Sequence, residues 1–237
     1  MQTMRAFLIT VVVILLVLVG LDFGARWFAT AQVEKAIAKE LDLPTRPDVS
    51  VSGFPFLWQA FRGDYGSITL TTDSLALGAV ENVNATITMT DVRIPFTDAV
   101  SGNMDHFTAA RADLSASIPT SSLAAAAGQP TLTITAGPSG GLVLNTQVEV
   151  AGQTIPVTAA ADAVISDSEL KVTISDLSSQ ITLPAAINSQ LRGDLSLTIP
   201  LTGLPVALTK ASVQVDGSNV LVTGTAVDIT LADLKTT

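Results

Sequence analysis

The chain of 237 residues contains no cysteine and a single histidine. The lack of cysteine excludes a disulfide framework, a thiolate nucleophile and a cysteine-ligated metal site. Charged residues are scarce at 14%, and acidic residues outnumber basic ones by 21 to 12, which gives a formal net charge of −9. A nucleic-acid partner requires a basic surface, so this charge balance argues against one. Any lipid contact must depend on apolar burial or on a few well-placed arginines.

The sequence also contains few candidate catalytic residues. His106, beside Asp105, is the one residue on which a Ser-His-Asp hydrolase could depend. Residues 137–141 read Gly-Pro-Ser-Gly-Gly and match G-x-S-x-G, but strand-like segments on both sides indicate a hairpin tip rather than a nucleophile elbow. No calcium loop or phosphate-binding glycine loop occurs. We therefore predict no catalytic residue, no metal site and no cofactor.

Only one long hydrophobic run is present, and it lies at the N-terminus. Residues 6–21 carry no charge and follow Arg5. As a helix these residues would span about 24 Å, slightly less than the bilayer core. We interpret residues 1–21 as a signal anchor or signal peptide, and residues 22–237 as a single β-rich domain. An Ala-Thr-Ala sequence at residues 29–31 offers a cleavage site, although we favour retention as an anchor.

The rest of the chain alternates polar and apolar residues, which is typical of strands. We predict an amphipathic helix over residues 22–41, followed by strands at 67–72, 84–92, 131–135, 142–150, 170–175, 194–201, 211–215 and 220–231. Short helices are predicted over residues 55–62, 119–127 and 184–191, the last two ending at Gly128 and Gly193. This order indicates an α+β fold with mostly antiparallel strands, with a β-sandwich as the alternative.

A weak internal repeat accompanies the short helices. A proline is followed by a glycine seven to nine residues later at Pro55/Gly63, Pro95/Gly102 and Pro184/Gly193, and a strand follows each time. This spacing suggests one sheet that is repeatedly re-entered from the same side.

Residues 49–70 are the most informative segment. Strand-like alternation is interrupted by a cluster of four aromatic residues between positions 54 and 61, and it resumes after Gly63. Pro55 suits the first turn of a helix and Gly63 suits its end, so we predict strand, short aromatic helix and strand.

This segment, Gly-Phe-Pro-Phe-Leu followed by Arg-Gly and an alternating strand, resembles the signature of the LmeA-like phospholipid-binding proteins of the actinobacterial cell envelope, named after the mycobacterial lipomannan elongation factor. Residues 91–102 and 204–231 fit the same pattern. The resemblance implies a TULIP-like fold, in which a curled sheet wraps lengthwise around a helix and leaves an apolar slot. It also implies an exported protein that binds phospholipid or a lipoglycan precursor and supports lipoglycan or envelope assembly.

Phospholipid recognition needs an apolar channel for acyl chains and a polar mouth for the headgroup. The candidates for the channel rim are the apolar residues of the aromatic segment: Phe54, Phe56, Leu57, Trp58 and Phe61. Arg62 is the first candidate for the headgroup, because a guanidinium can bind phosphate through two hydrogen bonds, and Arg93 is the second. Core packing of a short helix is the competing interpretation for each aromatic residue.

Two alternatives come from other functional classes. An envelope lipid hydrolase would need His106 and a serine in one cleft, and a scaffold domain would have a filled sandwich interior. We favour a non-catalytic lipid-binding protein on the periplasmic side of the cytoplasmic membrane, attached through its N-terminal helix.

Overall fold

The computed structural model describes residues 2–40, 45–77, 80–101, 106–126, 128–129, 131–137, 141–150, 153–166, 169–179, 184–200 and 210–230. The first half contains α1 (Gln2–Glu40), β1 (Asp48–Ser52), α2 (Phe56–Arg62), β2 (Asp64–Leu77), β3 (Val80–Arg93), α3 (Phe96–Ser101), β4 (Thr108–Pro119) and α4 (Thr120–Ala126). The second half contains β5 (Thr133–Ala136), β6 (Leu142–Val150), β7 (Gln153–Ser166), β8 (Glu169–Ser179), α5 (Ala185–Leu195), β9 (Leu197–Pro200), β10 (Lys210–Asp216) and β11 (Asn219–Thr230).

The strands form two antiparallel sheets, which confirms the predicted α+β class and antiparallel pairing. The first sheet has six strands in the order β1-β2-β3-β4-β11-β10, and the second has five in the order β5-β6-β7-β8-β9. Two of the predicted repeats lead into the first sheet, whereas the third, at Pro184, leads into β9 of the second sheet. The expectation of one sheet re-entered from the same side was therefore wrong.

Apolar side chains of both sheets meet in one cluster, which we call the two-sheet core. Its largest fully buried members are Val80, Val83, Ile118, Leu144, Leu170, Leu195, Val220 and Val222. Leu195 comes from α5, which was predicted to end before Gly193 but continues through it. The cost of a helical glycine, about 1 kcal/mol, is offset because Leu191 and Leu195 are buried one turn apart.

The other end of the first sheet packs against helices instead of a second sheet. This second cluster, the helix-side core, contains Val51, Phe56, Tyr65, Val92, Phe107, Ala109, Ala112, Ala226 and Ile229. Ala25 and Ala29 of α1 pack against it. One side of α1 is therefore covered by sheet and short helix, which is compatible with the wrap that the TULIP-like expectation describes.

The side-chain alternation of the first sheet is interrupted by a shared step within the helix-side core, and we call this step the bend. On each of four neighbouring strands, two successive core-facing residues are three positions apart instead of two: Tyr65 and Ile68, Met89 and Val92, Ala109 and Ala112, Ala226 and Ile229. The left-handed φ angles of Asp91 (51°) and Asp228 (53°) lie within this step. Such a step is what a β-bulge produces, and here it occurs at the same level on all four strands. The strands stay in register across the bend, so the side chains of all four strands change face together.

α1 is a single continuous helix across the predicted boundary at residue 22. Among the described residues, one helix is long and apolar enough to cross a membrane, and it covers Thr10–Lys39 of α1. The large side chains of its apolar part are exposed.

Candidate lipid-contacting site

The predicted aromatic helix is present as α2, and its two ends form as the sequence indicates. Pro55 precedes it in an extended conformation, and Gly63 follows with a φ of 71°. A Cβ on Gly63 would lie 2.7 Å from the carbonyl oxygen of Ile94, so this position accepts only glycine. The Ile94 N–H donates to the Gly63 carbonyl at 2.9 Å, which places α2 directly beside the end of β3.

The first turn of α2 is held by a residue of α1. The Asp22 carboxylate accepts hydrogen bonds from the backbone N–H of Phe56 (2.9 Å) and of Leu57 (2.7 Å). Helix N-terminal N–H groups lack partners within their own helix, and a carboxylate satisfies them well. Asp22 is buried. A distant acid therefore caps α2 and joins it to α1 at the end of the apolar run.

Phe56 differs from the other predicted rim residues because it lies in the helix-side core. It is buried, and its ring centroid lies 6.3 Å from that of Tyr65. The burial that accompanies this packing raises the pKa of the Tyr65 hydroxyl. Phe56 thus anchors α2 to the sheet.

The other four predicted rim residues lie on the surface with one further aromatic. The exposed side chains are Phe54, Leu57, Trp58, Phe61 and Phe96 of α3, and we call them the aromatic ridge. Trp58 stacks near Phe61 at 6.4 Å between centroids, and Phe61 lies 6.3 Å from Phe96. With Phe61 70% exposed, the competing interpretation of core packing does not describe these side chains.

The two predicted headgroup residues converge on one carboxylate. Arg93 Nε lies 3.1 Å from Asp64, and Arg62 Nε lies 3.9 Å from the other oxygen of the same residue. Both guanidinium groups are largely exposed at the edge of the ridge.

A groove of about 620 Å³ crosses the first sheet at its bend. Its charged lining residues are Asp64, Asp91, Arg93 and Asp228. Three carboxylates and one guanidinium line the groove, so its net negative charge disfavours an anionic headgroup. Arg62 lies outside this lining, although it approaches Asp64 at its edge.

A second groove of about 510 Å³ lies further along the same sheet face and includes Asp113. The Arg111 guanidinium donates two hydrogen bonds to Asp113, at 2.7 and 2.6 Å. These bonds, with a third from the Thr225 hydroxyl (2.9 Å), lower the pKa of the Asp113 carboxyl. This pair orders the outer sheet face and is far more polar than the ridge.

His106 pairs with an acid other than its sequence neighbour. Its Nδ1 lies 2.7 Å from Asp98 of α3, while Asp105 falls outside the described residues. Among the described residues, no serine hydroxyl hydrogen-bonds to the His106 ring, and no group of three potential metal-ligating side chains occurs. The Gly-Pro-Ser-Gly-Gly segment closes the β5–β6 hairpin, where Gly137 N–H donates to the Gly141 carbonyl at 2.8 Å. Residues 138–140 fall outside the described residues.

Sequence reasoning missed Asp22 and Phe96. Phe96 follows the proline of the second repeat as Phe56 follows that of the first, so the repeat itself could have identified it. Asp22 is the first charged residue after the apolar run, but its partners are 34 and 35 positions away, which no local pattern reveals.

Comparison with known families gives one result. A family model described as LmeA-like phospholipid-binding matches residues 20–225, which is most of the chain and includes both the ridge and the arginines. The comparisons with curated proteins and with solved structures return no match.

Proposed function

Because the chain belongs to the LmeA-like phospholipid-binding family, we propose that it is an exported, membrane-anchored protein that takes a phospholipid into an apolar slot bordered by the aromatic ridge. The observation that supports this most is the exposure of three large apolar side chains, Leu57, Trp58 and Phe61, on a helix of seven residues. Exposed apolar patches of this kind mark ligand, partner or membrane contacts.

The energetics favour acyl-chain binding over headgroup binding. Transfer of a methylene out of water gains about 0.8 kcal/mol, so ten methylenes supply on the order of 8 kcal/mol, which corresponds to micromolar affinity. The net charge of −9 and the acidic groove offer little attraction for a phosphate. Arg62 then selects among headgroups and contributes less to affinity.

The placement of the domain follows from α1. Arg5 precedes the apolar run, and basic residues favour the cytoplasmic side, so the ridge and sheets lie on the periplasmic side. There the protein supports lipoglycan or envelope assembly by carrying lipid, without chemistry of its own. A lipoglycan precursor is a second ligand of the same chemical class.

The test is native mass spectrometry of the full chain, purified in detergent from an envelope-containing host. Trp58→Asp should abolish lipid co-purification while circular dichroism stays unchanged, because Trp58 is exposed. Val164→Asp on β7 is the matched control, since Val164 is equally exposed but lies in the second sheet. Arg62→Ala should reduce anionic lipid relative to neutral lipid, and Lys171→Ala should not.

Unchanged lipid co-purification with a folded Trp58→Asp variant would reject the ridge as the binding site.

Export is tested in the same host. A C-terminal alkaline phosphatase fusion should be active, because the enzyme matures only outside the cytoplasm. An inactive fusion would reject export.

A further inference from the structure

The exposed aromatic surface extends from α2 onto α1. The Phe23 ring lies 6.4 Å from that of Phe54 of the aromatic ridge. Trp27 and Phe28, on the next turn of α1, are also exposed. Small residues, Ala25 and Ala29, face the domain in their place. The large side chains of this part of α1 are therefore not used to pack the helix onto the sheet.

The position of these residues relative to the apolar run is informative. Residues 6–21 span about 24 Å as a helix, about 6 Å less than a bilayer core of about 30 Å. Phe23 lies about 3 Å and Trp27 about 9 Å beyond Leu21 along the helix axis. These distances fall within the missing hydrocarbon length and the adjoining interfacial layer, where tryptophan is enriched.

The aromatic ridge is held at the same level. Asp22 lies one residue past the apolar run, and its carboxylate binds the first two N–H groups of α2. α1 is continuous there, so no flexible linker separates the membrane segment from the domain. A second bond, from Val49 N–H to Glu34 (3.3 Å), fixes β1 to the same helix further from the apolar run.

We propose that the aromatic ridge, with Phe23 and Trp27, docks into the interfacial layer of the bilayer that α1 spans. The occupant of this surface is a phospholipid bilayer, and the attraction is apolar, because the acidic protein is not drawn to anionic lipid. The inference rests on the proposed function for the membrane-spanning role of α1. Docking would keep the aromatic ridge in continuous contact with the membrane. A lipid could then pass from the bilayer to the protein without crossing water.

The two tryptophans of the chain, Trp27 and Trp58, allow a direct test. The full chain carrying Trp27→Phe leaves Trp58 as the single fluorophore, and it is reconstituted into vesicles of phosphatidylcholine with brominated acyl chains. We expect Trp58 to lose most of its emission relative to vesicles of unbrominated lipid. Trp58→Phe, which leaves Trp27, is the positive control.

The negative control places the probe on the second sheet. Val164→Trp, in a chain with both Trp27→Phe and Trp58→Phe, should keep its emission, because Val164 is exposed far from α1. Emission of Trp58 that is unaffected while Trp27 is quenched would overturn the proposal. Equal quenching at residue 164 would overturn it as well, since contact would then be unspecific.

A single lipid in the binding slot is distinguished from a bilayer by a measurement in detergent. Micelles that contain one brominated lipid per protein report the quenching of Trp58 by a bound lipid alone. Docking therefore predicts clearly stronger quenching in the vesicles, and equal quenching in micelles and vesicles would overturn docking. Lipid co-purification from the same preparations separates the two proposals. Lipid without quenching in vesicles rejects docking alone, and quenching in vesicles without co-purified lipid rejects the proposed function alone.

Discussion

The two ends of the first sheet are covered in different ways. At one end, apolar side chains of the second sheet cover it and form the two-sheet core. At the other end, α1 and α2 cover it, and three polar side chains secure these helices to the backbone. Asp22 binds α2, Glu34 binds Val49, and the Gln59 amide oxygen accepts from Gly66 N–H at 3.3 Å.

This difference shows how a small domain can expose a large apolar surface and stay folded. When a helix is held by hydrogen bonds to its own N–H groups, its large side chains are not needed for packing. Only Phe56 of α2 is buried, and the aromatic ridge is left exposed. The apolar residues of the two-sheet core, by contrast, are all needed for packing between the sheets. Three predictions test this contrast.

The largest effect is expected for truncation in the two-sheet core. Leu144→Ala should lower the free energy of unfolding by about 2–5 kcal/mol, because Leu144 is only 2% exposed and leaves a cavity. Phe61→Ala in the aromatic ridge should change it by no more than about 0.5 kcal/mol. Urea denaturation of the full chain in detergent measures both. Similar losses would show that the ridge is part of the core.

A smaller and local effect is expected for Asp22→Ala. The loss of this carboxylate cap on the first turn of α2 should cost about 0.5–2 kcal/mol, and this cost should fall on α2. Hydrogen exchange should accelerate in α2 and stay unchanged in β6. Glu34→Gln is the control, because an amide oxygen can still accept from Val49. Equal acceleration of hydrogen exchange in α2 and β6 would contradict the independence of the two ends of the first sheet.

The smallest effect is expected at Asp113, which lies between the two ends on the outer sheet face. Arg111 lowers the pKa of its carboxyl in the folded state, so its contribution to stability is present above about pH 4 and is lost as the pH falls through the lowered pKa. Asp113→Asn should therefore reduce the loss of folding stability at acidic pH. The reduction should be slight, because the Arg111–Asp113 pair is partly exposed. Urea midpoints measured from neutral to acidic pH give the slope. A steeper acid loss in the variant would contradict the sign.

The elements with clear end signals were predictable. Pro55 and Gly63 fixed α2, and α4 ends before Gly128, which has a φ of 67°. By contrast, β4 and β7 were not predicted. Their buried positions are filled largely by alanine, including Ala116 and Ala159, which gives a weak apolar signal. The bend in β4 also breaks the period of two.

The candidate site was predictable in composition but not in orientation. A proline and aromatics in sequence identified α2 as the unusual segment, yet a helix of two turns does not reveal which side faces inward. Phe56 was grouped with the exposed aromatics for this reason. The convergence of Arg62 and Arg93 on Asp64 depends on pairing between β2 and β3, which places Asp64 opposite Arg93.

The shared bend constrains how this chain can change in length. Deleting one residue at the bend of β4 alone would turn every side chain beyond it to the opposite face, while β3 and β11 on either side kept theirs. The four strands β2, β3, β4 and β11 must therefore gain or lose that residue together. Insertions and deletions should instead concentrate in connections such as the β10–β11 turn at Gly217. A single-residue deletion in one of these strands would thus put its side chains out of step with those of its neighbours.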